Sequence, residues 1–378
     1  MSRIALKHWL PGVALGMAVT ALAVTPDPHF DTSLNTGGCR SCHEGHGRSG
    51  SPMLPTAQKE SCFACHGSPG RLQSMVARGL VAGAARPIRM DVVLDLPSAH
   101  PVSDQAFSRR DPSSVVCTSC HAPHRGSVQE PVTDVPTGRP RLSPRDATRF
   151  EYELCESCHG SRGASTLDLL DLSRLLTPEN RSFHPVHAPA VETSPSVIAS
   201  LAGREISCTD CHGNADEAGP RGPHGSAVPY LLRANYTTTD GSAESPTVYA
   251  MCYRCHDRRR LLDESPFPEH GEHIDAERAS CATCHNAHGS VGNRALIRFG
   301  EETILAGVSP SISTGRLEFV SDGPGSGACY LTCHGEDHGP EAYGSMKTLL
   351  EMLGPDGRHN ELMKRADPAS PNRRSIPD

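Results

Sequence analysis

The chain has 378 residues, and 36 Lys and Arg set against 43 Asp and Glu leave a formal charge of −7. Its basic residues are scattered, which excludes a nucleic-acid footprint. Hydrophobic residues make up only 37%, aromatics 4%, and Gly (35) and Pro (32) abound, too little apolar stock for the cores of two ordinary domains.

Residues 1–23 read as a secretory signal. Arg3 and Lys7 precede an apolar run from Trp9 to Val24, and Ala21-Leu22-Ala23 supplies a small-x-small cleavage pattern. Pro11 interrupts the run, which is short for a membrane span. No later segment is apolar enough to cross a membrane. Export to the periplasm, cell surface or extracellular space is the expectation.

Downstream, eight cysteine pairs run into a histidine and use all 16 cysteines. Seven are Cys-x-x-Cys-His: Cys39-Cys42-His43, Cys62-Cys65-His66, Cys117-Cys120-His121, Cys155-Cys158-His159, Cys208-Cys211-His212, Cys252-Cys255-His256 and Cys281-Cys284-His285. The eighth, Cys329-Cys333-His334, has three intervening residues. Zinc ribbons need no histidine after the second thiolate, a thioredoxin-like site has one such pair, and a disulfide framework has no reason to repeat this spacing. The pattern is the attachment signature of c-type haem, in which two thiols add to the vinyl groups and the next imidazole becomes the proximal iron ligand. Eight c-type haems are expected, held proximally by His43, His66, His121, His159, His212, His256, His285 and His334. The macrocycles then replace the missing apolar core, which implies a mostly irregular chain with short α-helices and few strands.

The motifs pair into four two-haem units, assigned with their linkers to residues 24–97, 98–183, 184–269 and 270–342, with a terminal helix and tail at 343–378. Each unit has a histidine inside it: His46, His124 and His288 lie three residues beyond a proximal histidine, whereas His224 lies twelve beyond His212. Pro229-Tyr230-Leu231-Leu232-Arg233 and Arg294-Ala295-Leu296-Ile297-Arg298 support aligning His224 with His288. A histidine also precedes each unit: His29, His100, His184 and the His270/His273 cluster. One upstream and one internal histidine per unit match eight distal ligands; His187 and His338 complete the candidates. His8 lies in the signal and His359 in a polar tail. Met53, Met75, Met90 and Met251 are poorer candidates while histidines are in surplus. A histidine three residues past a proximal one cannot easily reach the far face of the same haem, so the internal histidines should ligate a neighbouring haem of the pair or of an adjacent unit.

Between motifs, Arg71–Val81 and Leu167–Leu176 have helical periodicity, Met90–Leu96 alternates like a strand, Tyr343–Leu353 predicts a terminal helix, and the Pro/Ser/Arg-rich end from Arg365 predicts disorder.

The repeated unit, Cys-x-x-Cys-His-x-x-His-Gly followed by a second Cys-x-x-Cys-His, resembles the doubled-motif family of multihaem c-type cytochromes from about His29 to His338. The resemblance implies bis-histidine, low-potential, low-spin haems serving respiratory electron transfer in metal-reducing and related anaerobic bacteria. An electron carrier, with no catalytic residue, is the first expectation. Its partners would be redox proteins or an extracellular acceptor; membrane or surface association and assembly into a filament stay open. The alternative is a multihaem reductase of nitrite, hydroxylamine or tetrathionate, which needs an open iron position. No Cys-x-x-Cys-Lys occurs, so the Cys329 motif is where such a position would be sought.

Overall fold

The computed structural model describes residues 28–45, 53–104, 115–121, 123–124, 150–161, 170–190, 192–301 and 307–353. The expectations for the signal, His8, His46, His359 and the tail from Arg365 fall outside these residues.

The described chain is largely irregular, punctuated by short helices and two-residue strands. Its buried apolar residues form small separate clusters rather than one core: Met75 with Leu80, Val81 and Ala85; Tyr249 with Leu262 and Ile274; Phe299 with Phe319 and Leu331; and Ala328 with Tyr330 and Met346. Clusters this small bury too little area to hold such a chain by themselves.

The helix expected over Arg71–Val81 runs from Pro69 to Ala77. It stops because Gly79, at φ +69°, enters the left-handed region. Leu80 N–H then reaches the Met75 carbonyl at 3.0 Å and Gly79 N–H the Val76 carbonyl at 2.9 Å, a Schellman ending. Within Leu167–Leu176 the described residues form the helix Leu172–Leu175, with Asp171 accepting from Arg174 N–H. The terminal helix spans Ser345–Leu353.

Met90–Leu96 corrects the sequence reading. It folds as a helical turn, Asp91–Leu94, not as a strand. The turn buries Val93 and leaves Val92 48% exposed, so the alternation of Met90, Val92 and Leu94 does not mark the inward face. Packing decides here: the Val93 carbonyl lies where a Cβ on Gly225 would stand, so backbone meets backbone.

Two short antiparallel pairings repeat one arrangement. β1 (Ser98–Ala99) pairs β3 (Gly225–Ser226), and β2 (Ser182–Phe183) pairs β4 (Gly289–Ser290). In both, His-Pro-Val follows the first strand and His-Gly-Ser supplies the second. Gly289 meets the Leu175 carbonyl as Gly225 meets that of Val93, so neither position has room for a side chain.

The C-terminal part differs. β7 (Ser326–Cys333) is flanked on one edge by β5 (Val308–Ser309) and β6 (Glu318–Gly323), and on the other by β8 (Glu336–Tyr343). Cys329, Leu331 and Cys333 face the Phe299/Phe319 cluster, while Ala328 and Tyr330 face Met346. This longest sheet among the described residues was not anticipated, because its central strand coincides with the eighth cysteine motif.

Candidate haem-binding sites

Seven motifs share one local geometry. Cys39 lies in the 3₁₀ turn Gly38–Ser41; Cys62 and Cys65 lie in the helix Gln58–His66; Cys155 and Cys158 lie in Glu151–His159. Cys117–Cys120, Cys208–Cys211 and Cys281–Cys284 are themselves single helical turns, and Cys252 lies in Ala250–Tyr253. The N–H groups of His43, His121, His212, His256 and His285 donate to the carbonyl of their motif's first cysteine at 2.8–3.0 Å. A turn of this kind sets side chains at i and i+3 on one face, about 5–6 Å apart between Cβ atoms. Both thiols thus point to one side and the histidine follows directly.

Every one of these seven histidines faces a second imidazole. Ring centres are 5.6 Å apart for His43 and His124, 6.0 Å for His66 and His29, 5.7 Å for His121 and His224, and 6.3 Å for His159 and His100. They are 6.3 Å apart for His212 and His288, 6.5 Å for His256 and His184, and 6.2 Å for His285 and His270. Metal–imidazole bonds run about 2.0–2.1 Å at zinc; a similar length on both sides of an iron, plus the ring radii, separates ring centres by roughly 6 Å. The residues fit the group their motifs imply.

The tautomers agree. The Nδ1 atoms of His66, His212 and His285 lie 3.0, 2.9 and 2.7 Å from the carbonyls of Ile88, Tyr230 and Ala295. His100 Nδ1 lies 2.5 Å from the Pro223 carbonyl, and His184 Nδ1 bonds that of Ala287. A carbonyl only accepts, so Nδ1 carries the proton and Nε2 keeps its lone pair for a metal. Burial first, then the facing imidazole, holds His224, His256, His270 and His288 down to about 4, which leaves them neutral near pH 7.

The partners follow a rule. His29, His100 and His184 face the second motif of their own unit, whereas His124, His224 and His288 face the first motif of the preceding unit. The alignment of His224 with His288 corresponds to matched local structure: His212 bridges Leu232 as His285 bridges Ile297, and Tyr230 and Leu231, like Ala295 and Leu296, have φ of 54–61°.

Successive motifs are also neighbours in space. Hydrogen bonding to Cys117, Cys155 and Cys252 is what most raises the thiols of Cys62, Cys208 and Cys281. Burial, then the adjacent thiols, raises Cys65 (beside Cys42), Cys120 to about 11 (beside Cys155), Cys211 to about 12 (beside Cys255) and Cys284 (beside Cys329). These contacts join motif one to motif eight in chain order. Side chains brace two junctions: Thr118 N–H donates to Gln58 Oε1 at 3.1 Å, and Thr209 N–H to the buried Glu151 Oε1 at 2.9 Å.

Two candidates stand elsewhere. His187 Nε2 contacts Glu156 Oε1 at 2.6 Å and its ring lies 4.1 Å from that of Tyr152, with no imidazole opposite among the described residues. His334 Nε2 lies 3.1 Å from Asp240 Oδ2, and β8, paired with the motif's strand, carries His338, whose ring centre lies 6.2 Å from that of His273. Met75 and Met251 are buried in the protein, Met75 in an apolar cluster.

No curated protein and no solved structure matches the chain. Two family models do. One, described as outer membrane cytochrome MtrC/MtrF-like, domains II/IV, matches residues 113–296, spanning motifs three to seven. The other, the doubled CXXCH motif, matches residues 32–70, with motifs one and two. Repeated attachment turns, facing imidazoles and both matches lead to one classification: the chain is a multihaem c-type cytochrome.

Proposed function

We propose that this multihaem electron-transfer protein is an exported octahaem conduit, passing electrons between neighbouring haems in the order of its sequence. What carries this reading is the second imidazole facing each of seven motif histidines. With both axial positions held, an iron offers nothing to a substrate and can only accept and release an electron. The haems supply that redox change. The chain fixes their ligands, buries the imidazoles and braces adjacent motifs, as Gln58 does with Thr118 and Glu151 with Thr209.

Export is supported by the basic and apolar N-terminal run ending in Ala21-Leu22-Ala23 and by the outer-membrane family match. No described helix is long and apolar enough to cross a membrane. A periplasmic or cell-surface position, with redox proteins or an extracellular acceptor as partners, fits these features. One observation favours the reductase alternative: His334 faces a carboxylate instead of an imidazole. A haem count with electron paramagnetic resonance of the oxidised protein separates the two. The conduit requires uniformly low-spin iron and no nitrite or hydroxylamine turnover from a reduced viologen; a high-spin haem with turnover rejects it.

A further inference from the structure

We infer that the haem of the Cys329 motif is ligated by His338 and His273, with the motif's own His334 serving as a turn residue bound to Asp240. This rests on the reading that the motif carries a haem at all. Three observations lead to it.

First, His334 is built into a hairpin turn. Cys333 pairs with Glu336, leaving His334 and Gly335 as a two-residue loop with φ of +51° and +88°. A loop with positive φ at both central residues is the type I′ turn that joins twisted antiparallel strands. In three of the helical motifs the histidine is extended instead, His121, His212 and His285 having φ between −95° and −112°, and in two others His66 and His159 end an α-helix.

Second, the nitrogen that would bind iron is taken. Nε2 of His334 contacts Asp240, which also accepts from Ser280 N–H at 2.7 Å and from the Thr283 hydroxyl at 2.5 Å. Asp240 thereby secures the hairpin tip to the turn of motif seven.

Third, a replacement lies in register. His338 pairs with Leu331, midway between Cys329 and Cys333, and directly paired residues of an antiparallel ladder share a face. His338 is thereby placed on the face that presents both thiols. Opposite it stands His273, whose Nδ1 lies 2.7 Å from the Glu269 carbonyl, the same tautomer lock found in the helical sites. Their 6.2 Å separation falls within the range of the other seven pairs.

The test leaves the motif intact so that haem attachment proceeds. Holoprotein carrying His338→Met is compared with wild type by haem count, near-infrared magnetic circular dichroism and redox titration. One haem is expected to take on the histidine–methionine signature and a raised potential, with the count unchanged. In His338→Ala one haem turns high-spin and exogenous imidazole returns it to low spin. Bis-histidine spectra for every haem in His338→Met, at full count, overturn the assignment. A wild-type count of seven with the Cys329–Cys333 peptide unmodified overturns the loading itself, and the two failures are distinguishable. Should His338→Ala misfold, the methionine variant decides.

Discussion

Motifs seven and eight adjoin, Cys284 lying beside Cys329, yet they are built on opposite secondary structures.

 The motifs at the two ends of residues 286–328 solve the same task differently. Cys281–Cys284 is one helical turn, which brings its two thiols to one side within about 5–6 Å. Cys329 and Cys333 lie four residues apart on a strand, where a rise of about 3.3 Å per residue separates them by roughly 13 Å. The helical turn is short-range and leaves its histidine free to turn toward an iron. The strand belongs to a sheet with its own ladder and apolar contacts, and the histidine after it is needed for the hairpin. A haem-binding sequence pattern therefore constrains the chain less than the local fold in which it is written.

The largest effect should come from withholding haem. With every motif cysteine replaced by alanine, the segments from Cys39 to His285 lose the group that their facing imidazoles and small clusters surround, so they should lose amide protection throughout. The sheet around β7, which pairs along three other strands and packs on Met346, should keep more of its protection. Hydrogen exchange followed by mass spectrometry checks the contrast, and uniform loss across both regions would break it.

Next in size is the loss of one axial ligand. His288→Ala removes the imidazole facing His212, and one haem should turn high-spin and bind carbon monoxide on reduction. His187→Ala removes a ring held by Glu156 and Tyr152, and the spin state should not change. Attachment chemistry offers a third comparison. Alkylation of the denatured holoprotein should find no free thiol in the seven helical motifs and one in the Cys329–Cys333 peptide, since a single haem meets both thiols readily only on a turn. Two thioether bonds in that peptide would mean that β7 bends when haem binds.

A smaller effect belongs to the bracing between units. Glu151 is 2% exposed and accepts from the N–H and hydroxyl of Thr209 at 2.9 and 3.1 Å. Glu151→Ala leaves those donors buried without an acceptor, at a cost of about 1–3 kcal/mol. Denaturant unfolding should register this destabilisation, while Glu153→Gln, on the same helix and with a side-chain oxygen that still accepts from Phe150 N–H, provides the control for helix position. An equal loss in both variants would remove the special role of the junction.

How much of this was legible depended on range. The covalent motifs, the surplus of histidines and the likeness of His224 to His288 could be read because they are local patterns or repeats. The distal partners could be narrowed to a set but not paired: His124 meets His43 across units while His29 meets His66 within its own, and no spacing encodes that choice. Met90–Leu96 misled because its period-two apolar pattern competed with a backbone contact to Gly225. At Cys329 the cysteine pattern hid the strand. Gly335 after a residue that tolerates positive φ was the available hairpin signal, and it was masked by the reading of His334 as a ligand.

The smallest predicted effect bears most directly on the contrast between motifs. In His334→Asn, asparagine suits the first loop position of a type I′ turn better than histidine does, because its short side chain tolerates positive φ. The variant loses only the contact to Asp240, and His334 is 44% exposed there, so solvent weakens what the pair contributes. Asp240 retains its bonds from Ser280 and Thr283. The net change in unfolding free energy should stay within about 1 kcal/mol, as measured by denaturant titration of protein with the wild-type haem count. The matching substitution His285→Asn has no such compensation: it removes an imidazole that faces His270 at 6.2 Å, and one haem should lose its low-spin signature. Comparable damage from the two substitutions would show that His334 acts as the other seven motif histidines do, and the division between turn-borne and strand-borne motifs would fall.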